Sequence, residues 1–540
     1  MRTLLLGLDG VSMPVLDSLF DEGRVPTLES LFERSATGPL TSQLPPWTPS
    51  AWPSLYTGVN PGKHGVYGFL SFDGYDHGVV DASDVHAHAL WELLDKRGHS
   101  SVVVNVPVTA PARPIDGAVV PGYISPEDPP GHPDGVLDSV RAATGDYSVY
   151  GPMDTPGTAA LPDVAAHARS RGDAFAHLVE RFDPDFGFLE FQQTDTVFHR
   201  RPTDREAIDC VFGAVDDAVE TALAAADPDT VLVVSDHGIG SYDGYEVRLN
   251  ECLRDWGFVE STADGEGMPS WDAIARNRLQ QGERGETPDP GVAERAVAML
   301  ARAGLTSQRI ERVLEPLGLA EPVAKLAPTD AVRAGTEQVD FPASTAYMRD
   351  RIELGVRLNV VGREPDGVVP SEAYERVRSD LVGRLRELTD PDGRPVFDRV
   401  APREAVFEGP YTDAAPDIVV VPRAFQNFLN GSLLGDRFGT PRESWNHKRD
   451  GVVAISGRGV DTDASLSDAH LFDVAPTVLS TLGVARSARM DGSPLTAVTP
   501  TPVEQYPDYE ESADGTREDH DVAERLQQLG YLSEDSYSSH

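Results

Sequence analysis

Short apolar runs and helical-period segments follow one another along this chain. Residues 3–8 form an apolar run that reads as a buried strand and ends at Asp9-Gly10. A helical pattern comes next, and Pro26-Thr27-Leu28 marks the start of a second helix. Residues 101–106, 186–191 and 230–234 are further strand-like runs. Between them, residues 173–181 are helical in pattern and 204–226 fit a long amphipathic helix. Residues 40–70, rich in Pro, Gly, Ser, Thr and Trp, read as a loop leading into a helix. Further strands are expected near 355–361, 418–421 and 451–456. Strands alternating with helices predict an α/β fold on a mainly parallel sheet. Ligands bind beyond the carboxyl ends of such strands. Asp9, Asp195 and Asp236 all stand there, so distant parts of the chain are expected to converge.

Residues 262–345 differ in pattern. They carry charged helical stretches at 292–303 and 307–317 and several prolines, which predicts a helical insertion over or beside the site. Residues 346–498 return to the α/β pattern. The acidic, Pro-containing stretch from 499 to about 520 reads as a poorly ordered linker, and 521–530 as a short helix with a Gly stop.

Composition narrows the function classes. The chain has 540 residues and 40% hydrophobic content, enough for a large core. No apolar run is long enough to span a bilayer, and the N-terminus reads as a strand rather than a signal peptide, so no membrane association and a cytoplasmic location are expected. The two cysteines, Cys210 and Cys252, read as free buried thiols. Against 87 acidic residues stand 46 basic ones, only four of them lysine, for a net charge of −41. Such a charge repels phosphate backbones, which argues against general nucleic-acid binding. The composition is similar to that of proteins from salt-accumulating archaea, where screening shortens the reach of self-repulsion.

Four places offer hard or borderline metal donors. Asp9 follows a strand. Asp195 and His199 are four residues apart, hence on one face of a helical turn. Asp236 and His237 are adjacent at a strand end, and His447 sits in the polar loop Ser444-Trp445-Asn446-His447. Each has a plainer reading: an Asp after a strand is often a helix N-cap. The segment Pro45 to Phe69 adds Thr48, a hydroxyl just ahead of a helix. At that position backbone N–H groups favour a bound phosphate or an ionised hydroxyl, although an N-cap role is equally open from the residue alone.

Taken in order, Asp9-Gly10, the stretch from Thr48 to Gly65, Asp195-x3-His199, Ser235-Asp236-His237-Gly238 and His447 resemble the alkaline phosphatase superfamily. Within it, the chain is most similar to the type I phosphodiesterase/nucleotide pyrophosphatase branch. Gly355 to Asn359, Ala415 to Ile418, Asp473 to Thr477 and Met490-Asp491-Gly492 look familiar in the same way. The resemblance implies a doubly wound, mainly parallel sheet flanked by helices. Residues 1–261 and 346–498 would be two parts of one catalytic domain. It also implies two divalent ions, zinc by donor type with manganese open. One would be held by Asp9, Thr48, Asp236 and His237, the other by Asp195, His199 and His447. Thr48, ten residues before Gly58, would be the nucleophile, and His64 a supporting residue rather than a ligand.

The implied activity is hydrolysis of a small-molecule phosphodiester or phosphomonoester through a phosphothreonine. Relatives in that branch usually carry a phosphate-binding Asn shortly after the His-Gly of the nucleophile segment, where this chain has Phe69. Lys63 or a backbone N–H is the candidate replacement. Phosphoryl transfer to an alcohol, sulfatase or phosphonate chemistry, and a non-catalytic binding role are the alternatives. The segment lacks the Cys- or Ser-x-Pro-x-Arg site of formylglycine sulfatases.

Overall fold

The computed structural model describes residues 1–145, 147–153, 160–262 and 337–509. The strands that frame the site are, in chain order, β1 Thr3–Leu8, β2 Ala36–Thr41, β3 Ser101–Val104, β4 Gly117–Val120, β5 Phe186–Phe191, β6 Thr230–Val234, β7 Gly238–Ser241, β8 Ala346–Tyr347, β9 Gly355–Leu358, β10 Phe397–Pro402, β11 Ile418–Pro422, β12 Trp445–Lys448 and β13 Asp450–Gly457. The helices used below are α1 Met13–Asp21, α2 Pro26–Glu33, α3 Thr48–Thr57, α4 Pro61–His64, α5 Leu161–Phe182, α6 Gln193–Arg200 and α7 Arg205–Ala226.

A seven-stranded sheet runs β2-β13-β6-β1-β5-β3-β4. The five strands from β6 to β4 are parallel, and β13 and β2 complete the sheet in antiparallel pairings. Helices on both faces bury it, which explains why β1, β3, β5 and β6 read as continuous apolar runs rather than alternating ones. Leu4, Leu6 and Leu8 pack into the core that includes α1, α2, α5 and α7, while Leu5 packs with Trp52 and Leu55 of α3 on the other face.

A second, four-stranded sheet, β8-β9-β11-β10, builds a separate core around Val356, Leu358, Ile418 and Val420. The sequence led us to expect a second α/β portion; one of its strands, β13, instead joins the main sheet beside β6. Two main-sheet strands were not anticipated: β4, a four-residue run, and β2, whose Gly38 and Pro39 resemble a loop. β2 lies at the sheet edge, where a proline costs no ladder bond.

Ser261–Thr262 pairs antiparallel with Gln338–Val339, so the chain leaves and rejoins this body through a short ladder. The helices expected at 292–303 and 307–317 and at 521–530 lie outside the described residues. The expected linker does not begin at 499. Val503–Glu504 pairs with Arg486–Ser487, and the buried Tyr506 donates its hydroxyl to the Ala485 carbonyl at 2.7 Å.

Adjacent strands set the site. Leu8 of β1 is in register with Phe191 of β5, and Gly7 with Val234 of β6, so the three chains end side by side. Gly7 also makes room for α3. A Cβ there would lie 2.6 Å from Trp52 Cη2, so β1 and the helix approach closely only because the residue is glycine. Gly7→Ala is expected to push Trp52 off the strand and lower unfolding stability by about 1–3 kcal/mol, read as a reduced denaturant midpoint at unchanged slope. An unchanged midpoint would show that the contact is slack.

Candidate active site

Asp9, immediately after β1, is fully buried. Its Oδ2 accepts a hydrogen bond from Trp52 Nε1 at 3.2 Å, and Thr194 Oγ1 at the start of α6 donates to its carbonyl at 2.6 Å. Gly10 has φ +62°, and a Cβ on it would stand 2.4 Å from Asp195 Oδ1. Glycine therefore provides both the left-handed turn and the space that Asp195 occupies. Past β6, Ser235 Oγ accepts from the Val11 N–H at 2.8 Å, and Asp236 Oδ1 accepts from the Gly10 N–H at 3.3 Å. These bonds tie the two strand ends together.

Thr48 is the first residue of α3 and is buried. Its Oγ1 lies 3.5 Å from Asp9 Oδ1 and 3.4 Å from His237 Nε2. All ten residues of the helix are buried, so the hydroxyl is held from behind. Pro49 has no N–H, and the amides of Ser50 and Ala51 both turn back to the Trp47 carbonyl, at 3.0 and 2.9 Å. Among the described residues this leaves the Thr48 amide as the first-turn donor without a backbone partner.

His447 comes from β12, which pairs antiparallel with β7 and places it opposite Ile239. Its ring stacks on His237, centroids 3.7 Å apart, and on Trp47 at 5.2 Å. The ring tautomers follow from their outer partners. His237 Nδ1 donates to the Gly238 carbonyl at 3.1 Å and His447 Nδ1 to the Pro46 carbonyl at 2.9 Å, so each offers an Nε2 lone pair inward. His199 Nε2 lies 3.3 Å from Asp195 Oδ2 and 3.1 Å from His447 Nε2.

Two groups of donors result: Asp195, His199 and His447, and Asp9, Asp195 and His237, the atoms of each within 4.8 Å of one another. Asp236 Oδ2 lies 3.3 Å from His237 Nε2. Asp195 Oδ1 and Asp236 Oδ2 are buried without a hydrogen-bond partner, which fits a cation as their missing neighbour.

The electrostatics are those of crowded carboxylates. Burial, with Asp195 adding to it, pushes Asp9 well above the usual carboxylate range, and burial with Asp9 does the same to Asp236. Asp195 lies below that range: burial, the largest single influence, opposes this, but His199, His447 and His237 together outweigh it. His199 is held up at about 10, against burial, by Asp195 and Glu443. Burial lowers His237 to about 4 and His447 well below its ordinary value.

The structure thus brings together Asp9, Thr48, Asp195, His199, Asp236, His237 and His447. It does not bring Lys63. That ammonium pairs with Asp491 and donates to the Arg489 carbonyl at 3.1 Å, because Asp491 also anchors the start of α4 through Asn60. Phe69 is buried in the same apolar core as Trp52 and Val66 and offers no polar group to the site. His64 is a supporting residue of α3, as expected. Its Nδ1 accepts from the Val66 N–H at 3.2 Å, so its Nε2 donates to Ser54 Oγ at 2.8 Å, and burial lowers its pKa to about 3. The sequence reading missed Trp52 as the partner of Asp9. It also missed Glu443, 3.6 Å from His199 Nδ1, although that residue stands one position before the polar loop singled out for His447.

A doubly wound sheet with carboxylates and imidazoles at adjacent strand ends, beside a helix-start threonine, defines an alkaline-phosphatase-type hydrolase of phosphate esters. The chain belongs to the type I phosphodiesterase/nucleotide pyrophosphatase family, whose profile matches residues 3–320. No curated protein matches it. Among solved structures, phosphonoacetate hydrolase from Sinorhizobium meliloti in complex with phosphonoformate shares the fold, with a TM-score of 0.55 and 17% identity over 88% of this chain and 94% of that one. The same hydrolase with phosphonoacetate gives a TM-score of 0.50 and 16% identity over the same shares. Human ectonucleotide pyrophosphatase/phosphodiesterase 5 gives 0.47 and 12% over 94% and 97%. Among the described residues, no helix is long and apolar enough to cross a membrane.

Cation uptake here is expected to release protons. At neutral pH the metal-free His199 carries a proton that would have to leave before its Nε2 could coordinate an ion. Affinity should therefore fall as pH drops, about tenfold per unit for each proton displaced. Calorimetric zinc titrations in buffers of different ionisation enthalpy measure this; buffer-independent heats would refute it.

Proposed function

We propose that the chain hydrolyses phosphodiesters or phosphomonoesters through a phosphothreonine on Thr48. The observation that carries this reading is a buried threonine hydroxyl at a helix start, within 3.5 Å of donors from two different strand ends. Asp9, Thr48, Asp236 and His237 would hold one divalent ion, and Asp195, His199 and His447 the other. The orphaned carboxylate oxygens and the inward Nε2 atoms support that assignment. Mixed carboxylate and imidazole donors suit zinc, and manganese can use the same set. When bound, such ions lower the pKa of a hydroxyl and offset the charge of the phosphate.

The chain's own residues do the rest. Thr48 Oγ1 gives up its proton to solvent and forms the bond to phosphorus, while the ester oxygen departs with the bonding pair and takes a proton from solvent. Water then cleaves the phosphothreonine, which restores the hydroxyl and releases the phosphoryl product. The free Thr48 amide points to a hydrogen bond with a non-bridging oxygen, the role that neither Phe69 nor Lys63 is placed to fill. The buried α3 keeps the attacking oxygen in line, and Trp52 keeps Asp9 from rotating. Cleavage of phosphonates is a second reading. It draws on the ligands named for the Sinorhizobium meliloti hydrolase and would use the same centre.

Bis-p-nitrophenyl phosphate, p-nitrophenyl phosphate and phosphonoacetate, assayed side by side with zinc or manganese, test the reading. Metal-dependent turnover is expected, with Thr48→Ala reduced at least about a thousandfold and Thr48→Ser retaining part of it. Full activity in Thr48→Ala would remove the nucleophile from this scheme. The ratio between the substrates assigns diesterase, monoesterase or phosphonatase.

A further inference from the structure

The three imidazoles of the centre are not held alike. His237 and His447 each give Nδ1–H to a backbone carbonyl, whereas the nearest acceptor to His199 Nδ1 is a side chain, Glu443 Oε2, at 3.6 Å. Glu443 is itself fixed from two sides. Both terminal nitrogens of Arg351 lie 3.3 Å from its Oε1, and Asn446 Nδ2 donates to its Oε2 at 2.5 Å. Arg351 in turn lies over the Phe428 ring, 4.7 Å from its centroid. Asn446 Oδ1 accepts from the His447 N–H at 2.7 Å. One short network therefore reaches both histidines of the Asp195–His199–His447 group and neither Asp9 nor Asp236.

We infer that Glu443, oriented by Arg351 and Asn446, is the positioning residue for His199 and sets the cation affinity of the Asp195–His199–His447 group alone. The inference rests on the metal assignment made above. A histidine that ligates a metal needs its second ring nitrogen engaged, which fixes the tautomer and the ring plane and raises the basicity of the donor. For His199 the acceptor is anionic, so it also offsets part of the charge that the ion brings. At 3.6 Å the pair is an ionic contact; a movement of about 0.6 Å makes it a hydrogen bond. The plainer reading is an ordinary surface ion pair, worth little. Against it, the Glu443 side chain is only 27% exposed and meets three partners, each with its own anchor.

The test is zinc binding to the full chain, wild type against Glu443→Gln, Glu443→Asp and Glu443→Ala, by titration calorimetry and metal analysis after dialysis. Two ions are expected in the wild type. In Glu443→Gln one of the two sites should weaken about 10–100-fold while the other keeps its affinity. Glu443→Asp should recover part of the loss, and Arg351→Met should produce a smaller loss at the same site. Excess zinc should restore turnover in Glu443→Gln. Unfolding midpoints of the metal-free variants identify any variant that fails to fold, and the remaining ones decide the matter. Equal affinities in wild type and Glu443→Gln, or equal weakening of both sites, would overturn the positioning role and leave the metal assignment standing. A wild type that binds no zinc would overturn both.

Discussion

Everything at the catalytic end of this fold depends on one electrostatic constraint. Asp9, Asp195 and Asp236 are buried at the ends of adjacent strands, with two of them fully inaccessible. Like charges 4 Å apart repel by about 4 kcal/mol at an effective dielectric of 20, and burial adds its own cost. Such a cluster persists only if something positive or protonic sits among the carboxylates. In the metal-free chain the answer is mixed: Asp9 and Asp236 are driven toward the neutral form, while Asp195 keeps its charge against a cationic His199. Divalent ions answer the same need with more charge and in fixed directions, so the site's demand for cations is built into its backbone register.

Holding that arrangement requires close approaches that few residues permit. Gly7 lets Trp52 lie against β1, and Trp52 then donates to Asp9. Gly10 lets Asp195 stand against the turn after β1. The same turn supplies amides that hold Ser235 and Asp236. Thr48 is placed by the burial of α3 rather than by bonds of its own, since its contacts of 3.4 and 3.5 Å are long for hydrogen bonds. The packing around Thr48 is close and buried, while its polar contacts to the neighbouring candidate donors are long.

Much of this was legible in the sequence because strand ends are. β1, β5 and β6 are short apolar runs with an acid at or just beyond the C-terminus, and their bounds were read to the residue. The candidate donors Asp9, Asp195, Asp236 and His237 were legible for the same reason, whereas His199 followed from its spacing to Asp195, and Thr48 and His447 from the resemblance of their segments. Features set by tertiary packing were not. β2 contains Gly38 and Pro39 and is a strand only because β13 pairs with it. Lys63 stands in the nucleophile segment but turns to Asp491, more than 400 positions away. Trp52 and Glu443 carry no local signal of their partners, because each acts on a residue from another part of the chain. A sequence lists candidate donors; which outer acceptor fixes each ring is decided by contacts between segments.

The acidity of the chain bears on how an anionic ester reaches this centre. A net charge of −41 repels phosphate at long range, yet the reach of that field is about 10 Å at 0.1 M salt and about 3 Å at 1 M. Attraction must therefore be generated locally, within a few ångströms of Thr48. Lys63 is committed elsewhere, and Arg351 is drawn to Glu443. On the reading proposed above, the bound ions and the Thr48 amide are the groups that would attract the phosphate. Binding and chemistry then draw on the same few charges, so removing the ions should weaken ester binding along with turnover. In an enzyme with separate phosphate-binding cations the two would come apart.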